Sequence, residues 1–446
     1  MRLRSRAATL SRLHSMRFWE VRFLFISKGL PLQGGAGNCA TQTAEALVRF
    51  GHSVDFLTDC DEIASSMRTH GHQLVSSYAF TRITPEPIGA FEHFPQSGLR
   101  TQRLFGRAYS LAREREYDAV IGWYLLPYGS VAAAVASKFK LPLILVHGGS
   151  DLNTLSLHPD LREAISSCLG EAALILTASS KDVVEKLMSL DAKETAIRSV
   201  ERAFPLPDYY RSDNYTDFQA VAAQVRSELA ASMQGDVELR DLFQLLSKPK
   251  ALPRPTIVHY GKQSGSKRSI QILQALDRLA SEGVEFGYIG LCYGSRDSVL
   301  ASLKFLRDSS LAGRSIVLPA VHPALVPAVL RSADVGICIE ESAFGVPNHL
   351  SVIPREMWAE GIAVVLSREL TCAPFLRWVA HGGVNVQICP PHKEYETIRQ
   401  LLEAPAFIRQ LQAASRTTSR VVETELGTTN PVADIIHSFM SQVATN

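Results

Sequence analysis

The chain has 446 residues, enough for two or three domains of ordinary size. Its formal net charge of +2 implies no bulk attraction to nucleic acid, and 46% hydrophobic with 20% charged residues describe a soluble globular protein. No apolar run approaches the roughly 20 residues of a membrane span. Seven scattered cysteines without a C-x-x-C pair suggest neither a zinc site nor a disulfide framework, so a reducing cytoplasm fits best.

Residues 1–20 differ in composition from the rest of the chain. The stretch "MRLRSRAATLSRLHSMR" holds five arginines and no acid. It has no apolar segment of the secretory kind. It reads as a basic disordered tail or a start placed upstream of Met16, with contact to an anionic membrane face as the second reading.

From residue 21 strands and helices alternate. "VRFLFIS" reads as a buried strand, "PLQGGAGN" as a glycine-rich loop, and Ala40, Ala44, Leu47 and Val48 share one helical face. "GHSVDFLT" starts a second strand. Further strands are expected at 118–122, 142–148 and 173–179, and the unit closes near 207. The stretch 208–252 reads as an inter-domain connection with a partly helical insertion. The alternation restarts at 253. Strands are expected at 256–261, 286–290, 315–319, 334–339 and 363–367, with helices near 267–282, 323–332, 352–361 and 394–415. This second unit runs to 427, and a last helix is expected within 428–446. The fold class is α/β: two Rossmann-like domains facing each other across a cleft.

In the second unit, "IVHYGKQSGSKRSIQILQAL" (257–276) passes from strand through a Gly, Ser and Lys loop into a helix. It is not a P-loop, because Gly265 is followed by Ser266 and Lys267 by Arg268. Two lysines, Lys262 and Lys267, at a strand-to-helix loop nonetheless suit a diphosphate, since a helix N-terminus favours an anion. A solvated surface loop is the other reading. Gly34, Gly35 and Gly37 allow close backbone approach to a phosphate or sugar, or make an ordinary turn. The acidic pair in "DCD" (59–61) reads as solvated loop carboxylates rather than a metal site. "GGAGNCAT" lacks the spacing of a nicotinamide-binding loop.

Five segments in this order resemble family 4 of the retaining glycosyltransferases, which have the GT-B fold. They are "PLQGGAGN…LVRFGHSV", "VHGGSDLN", "GKQSGSK", "LRSADVGICI" and "NHLSVIPREMWAEGIAVV". The resemblance covers about 21–400. It implies a nucleotide-sugar donor whose diphosphate is held by Lys262, Lys267, Gly34 and Gly35. It implies Glu356 on the ribose and His322 on the loop facing the base. It also implies Asn348 and Ser351 near the donor sugar, Asp151 on the acceptor side and His147 in the reaction crevice. Where the family motif has its first glutamate this chain has Asn348, eight residues before Glu356. Glu356 could instead favour a helix dipole, Asp151 could cap a helix, and His147 could be a core histidine.

The implied reaction is metal-independent transfer, without a cofactor, to a hydroxyl of a glycan, lipid or small molecule. Nucleic acid is not an expected partner. Two other readings remain open: an epimerase of the same architecture, and a non-catalytic nucleotide-sugar-binding subunit, which Asn348 permits.

Overall fold

The structure is a computed structural model that describes residues 20–59, 63–71, 79–86, 96–177, 181–200, 204–210, 216–340, 352–367, 386–426 and 429–445. The basic tail with Met16, and the sugar-side candidates Asn348 and Ser351, lie outside the described residues.

Two parallel sheets organise the chain. The first has seven strands in the order β3-β2-β1-β4-β5-β6-β7. These are β1 Arg22–Ser27, β2 Ser53–Leu57, β3 Thr81–Ile83, β4 Ala119–Trp123, β5 Leu143–Val146, β6 Leu174–Thr177 and β7 Ile197–Ser199. The second has six, in the order β10-β9-β8-β11-β12-β13. They are β8 Thr256–Gln263, β9 Gly287–Gly294, β10 Ser315–Pro319, β11 Val335–Cys338, β12 Ala363–Ser367 and β13 Gln387–Cys389. The central strands read as apolar runs because helices cover both faces of a parallel sheet. β4, β5 and β11 are buried along their whole length.

Each sheet reverses its strand order beside its first strand. The switch points lie between β1 and β4 and between β8 and β11. Open α/β sheets bind ligands in the crevice outside the carboxyl ends of strands at such points. The glycine loop leaves β1 there, and the Lys262–Lys267 loop leaves β8 there.

Residues 218–246 form more than a connection. Helices Phe218–Ser232 and Val237–Leu246 begin at Asp217 and Asp236, whose carboxylates accept backbone N–H groups of the first turn. Val221, Ala222 and Val225 pack with Val258 and Ile289 on one side of the second sheet. Leu229, Leu239, Phe243 and Leu246 join Ile257 and Leu276 on the other. The helix expected over 394–415 is two helices, Glu394–Leu402 and Pro405–Leu426, interrupted before Pro405. The terminal helix Pro431–Thr445 returns to the first unit, where Val432, Ile436 and Met440 pack against Ala44 and Leu47.

A strap from the first unit also crosses over. His70 bridges Val321 in parallel, and its N–H donates to the Ala320 carbonyl at 2.8 Å. Ser66 Oγ donates to the Gly294 carbonyl at 3.1 Å, and the Gly71 N–H donates to Glu228 at 2.9 Å. No helix among the described residues is long and apolar enough to cross a membrane.

Candidate active site

Two lysines stand on the loop at the second unit's switch point. Lys262, at the end of β8, is exposed, and Lys267 is half-buried in the turn Gly265–Lys267. The turn delivers the chain into helix Ser269–Ser281, with Arg268 left-handed at the junction and its guanidinium paired to Glu394. Arg268 therefore anchors the loop while the two lysines border the crevice. Lys267 is ion-paired with Glu340, which follows β11. Nearby, the His259 ring is buried, and burial together with Lys267 pushes its pKa down to about 4, so it is neutral at physiological pH.

Across the crevice, β1 ends at Ser27 and Lys28 follows. The loop turns through Gly34, with φ of 133°, into helix Gly35–Arg49. A side chain on Gly35 would meet only open space, so its backbone is approachable. Lys28 interacts electrostatically with Lys262 of the second unit, which brings the two loops within range of each other. Sequence reasoning passed over Lys28. The available signal was a cation at the carboxyl end of the strand that feeds the glycine loop.

Glu356 stands on helix Val352–Ala359 and is 5% exposed. Burial pushes its pKa up to about 7, against the opposing pull of Tyr210, Arg355 and Tyr260. Tyr210 comes from the crossing segment that precedes helix Phe218–Ser232, and its hydroxyl approaches Glu356 without reaching hydrogen-bond geometry. The neighbouring Arg355 donates to the Phe204 carbonyl at 2.6 Å, which ties this helix to the end of the first unit.

Asp151 is fully buried and holds backbone rather than facing the crevice. Its carboxylate accepts the N–H groups of Gly148, Gly149 and Leu152, each at 2.9 Å, and of Leu125 at 2.8 Å. These bonds give Asp151 a structural role: it fixes the loop after β5 against the turn after β4. His147, directly after β5, is 3% exposed, with Nε2 2.7 Å from Thr177 Oγ1. Gly148 is tightly covered, since a Cβ there would stand 2.3 Å from the Tyr124 ring. Gly149, with φ of 100°, has open space.

His322 is buried at the edge where the strap docks. Its N–H donates to the His70 carbonyl and its own carbonyl accepts from Leu325, so both of its backbone groups are engaged within the protein. Its Nδ1 accepts from Ala324 at 3.2 Å. Asp59 also serves the fold: it accepts the Tyr128 hydroxyl at 2.7 Å and pairs with Arg100 at 3.0 Å.

This architecture, two parallel sheets with facing switch-point loops, is the GT-B fold of the glycosyltransferases. The family described as "Glycosyl transferase 4-like domain" matches residues 34–201 of this chain. HepE from Anabaena, solved in complex with UDP-glucose, is similar at 14% identity and a TM-score of 0.58, covering 95% of this chain and 99% of that one. WaaG, described as a glycosyltransferase involved in lipopolysaccharide biosynthesis, is similar at 14% identity and a TM-score of 0.58, covering 93% and 99%. A UDP-forming α,α-trehalose-phosphate synthase from Burkholderia vietnamiensis is similar at 12% identity and a TM-score of 0.53, covering 95% and 100%. No curated protein matches the chain in sequence.

Proposed function

We propose that this chain is a retaining, metal-independent glycosyltransferase that moves a sugar from a nucleotide-sugar to a hydroxyl of a glycan, lipid or small molecule. The observation that carries the reading is the pair of facing loops at the switch points, Lys262 and Lys267 on one side and Gly34–Gly35 on the other. Breaking a sugar–phosphate bond leaves a nucleoside diphosphate with growing negative charge. Fixed cations and helix N–H groups stabilise that charge with little reorganisation, so no metal is required.

In this reading Lys262 and Lys267 hold the diphosphate, with the Gly34–Gly35 backbone opposite. Lys267 exchanges Glu340 for phosphate oxygens when the donor binds. Glu356 accepts the ribose hydroxyls, and the edge formed by His322 and the His70 strap borders the base. The acceptor attacks from the same face that the diphosphate leaves, and a phosphate oxygen takes the acceptor proton. Asp151 acts by positioning: it fixes the loop that carries His147 and Gly149 at the first unit's edge of the crevice.

The support from HepE is that its solved complexes hold UDP-glucose, UDP and glucose, and UDP. The test is a thermal-shift panel of UDP-, GDP- and ADP-sugars. A ligand at 100 times its dissociation constant adds about 2.7 kcal/mol of stability, so one base should stand out. A panel with no shift at saturating concentrations contradicts the proposal.

A further inference from the structure

Lys28 follows β1 directly, and its half-buried side chain lies along the first turn of helix Gly35–Arg49. A Cβ on Gly34 would stand 3.1 Å from Lys28 Nζ, and one on Gly37 would stand 3.6 Å from its Cγ. Gly34 therefore leaves the space in which the ammonium lies at the helix N-terminus, while a Cβ on Gly37 would make only ordinary contact with the lysine stem. That is the wrong end of the dipole for a cation, because the first turn already presents N–H groups and partial positive charge.

Three groups from other elements face Lys28: Lys262 from β8, Asp59 after β2, and Arg100 on helix Gln96–Glu114. Asp59 is already paired with Arg100 and takes the Tyr128 hydroxyl. Among the described residues, no carboxylate lies within ion-pair distance of Lys28 or of Lys262. Two ammonium groups from opposite domains and a helix N-terminus thus converge without an ion pair of their own, Asp59 giving Lys28 only a longer-range attraction. Burial and Lys262 together push the Lys28 pKa down to about 8. An anion placed between these groups is attracted to each of them and offsets their mutual repulsion.

Resting on the nucleotide-sugar reading above, we propose that Lys28 completes the diphosphate site from the first domain: its ammonium binds the donor diphosphate opposite Lys262, so tight binding requires both domains. Lys28 then contributes to affinity and to neutralising the leaving group, and it ties nucleotide occupancy to the closeness of the two loops.

The test is calorimetry of UDP, GDP and ADP at pH 8.5 in two buffers of different ionisation heat, on wild type, Lys28→Arg and Lys28→Met. A lysine with a pKa of about 8 is about three-quarters neutral at that pH, and a bound diphosphate holds it charged. Wild type should therefore take up about three-quarters of a proton with the tightest-binding diphosphate. Lys28→Arg should bind without that uptake, and Lys28→Met should bind at least tenfold more weakly, also without uptake. Binding without uptake in wild type, uptake that persists in Lys28→Arg, or unchanged affinity in Lys28→Met overturns the Lys28 assignment and leaves the transferase reading standing. If none of the three diphosphates binds wild type, the transferase reading fails and this assignment fails with it.

Discussion

Lys267 and Glu340 form an ion pair between the loop after β8 and the segment after β11, with side chains 26% and 16% exposed. The pair holds the best-placed cation of the crevice against a carboxylate rather than leaving it open to solvent. Under the proposed donor assignment a diphosphate competes with Glu340 for it. Lys267→Ala should weaken nucleoside diphosphate binding by about 1.5–3 kcal/mol and monophosphate binding by less. Glu340→Gln should act in the opposite direction and tighten diphosphate binding about fivefold, ~1 kcal/mol, since the competing charge is gone. Titrations of both variants check this. Equal losses for both nucleotides in Lys267→Ala would remove it from the diphosphate.

Glu356 gives a pH signature. Its folded pKa of about 7 lies above the ordinary 4.5, so its contribution to stability is full below about 4.5 and is lost as pH rises through 7. Glu356→Gln should therefore melt higher than wild type at pH 8, by up to about 3 kcal/mol of stability. Ribose hydroxyls donate to the ionised form, so ribonucleotide affinity should rise between pH 6 and 8 in wild type. The variant should lose that rise and discriminate less against the 2′-deoxy analogue. Melting curves and titrations across that range, on both proteins, decide the point.

Asp151→Asn tests the difference between a structural and a substrate-facing carboxylate. The amide cannot accept four N–H groups as the carboxylate does, and the charge-assisted character of those bonds is lost. Stability should fall by about 2–4 kcal/mol, with the loss seen in denaturant unfolding. A stable variant with a raised acceptor KM alone would return Asp151 to the acceptor side.

His147→Ala removes the buried ring bonded to Thr177 just beyond the carboxyl end of β5. Turnover should drop at least tenfold, about 1.4 kcal/mol of barrier, while nucleoside diphosphate affinity stays within about twofold, because Lys262 and Lys267 belong to the other domain. Loss of nucleotide binding together with folding would make His147 a packing residue.

Much of this was legible in the sequence for physical reasons. Buried parallel strands such as β4 and β5 are unbroken apolar runs, and the loops at β1 and β8 are marked by glycine and lysine. The short strands β3, β7 and β13 carry three residues each, too few for a periodic signal. The segment 218–246 looked like a connection because its polar face dominates the composition, while its apolar stripe has meaning only against the second sheet. The partners of Asp151 are backbone amides, which no side-chain pattern announces. Glu340 pairs with Lys267 over 73 positions of sequence, and Lys28 meets Lys262 only because the two domains face each other. Those relationships are properties of the crevice rather than of any segment.

Nucleotide-sugar turnover in excess EDTA tests the central claim most directly. The enzyme is incubated with the donor selected by thermal shift and a panel of hydroxyl acceptors, and nucleoside diphosphate release is measured for wild type and for the Lys262→Ala, Lys267→Ala double variant. The account predicts that wild type releases nucleoside diphosphate and transfers sugar with its anomeric configuration kept, untouched by the chelator. It predicts that the double variant, folded by its melting curve, is slower by a hundredfold or more, about 2.7 kcal/mol of barrier. Activity abolished by EDTA and restored by a divalent metal, or a double variant as fast as wild type, would contradict it.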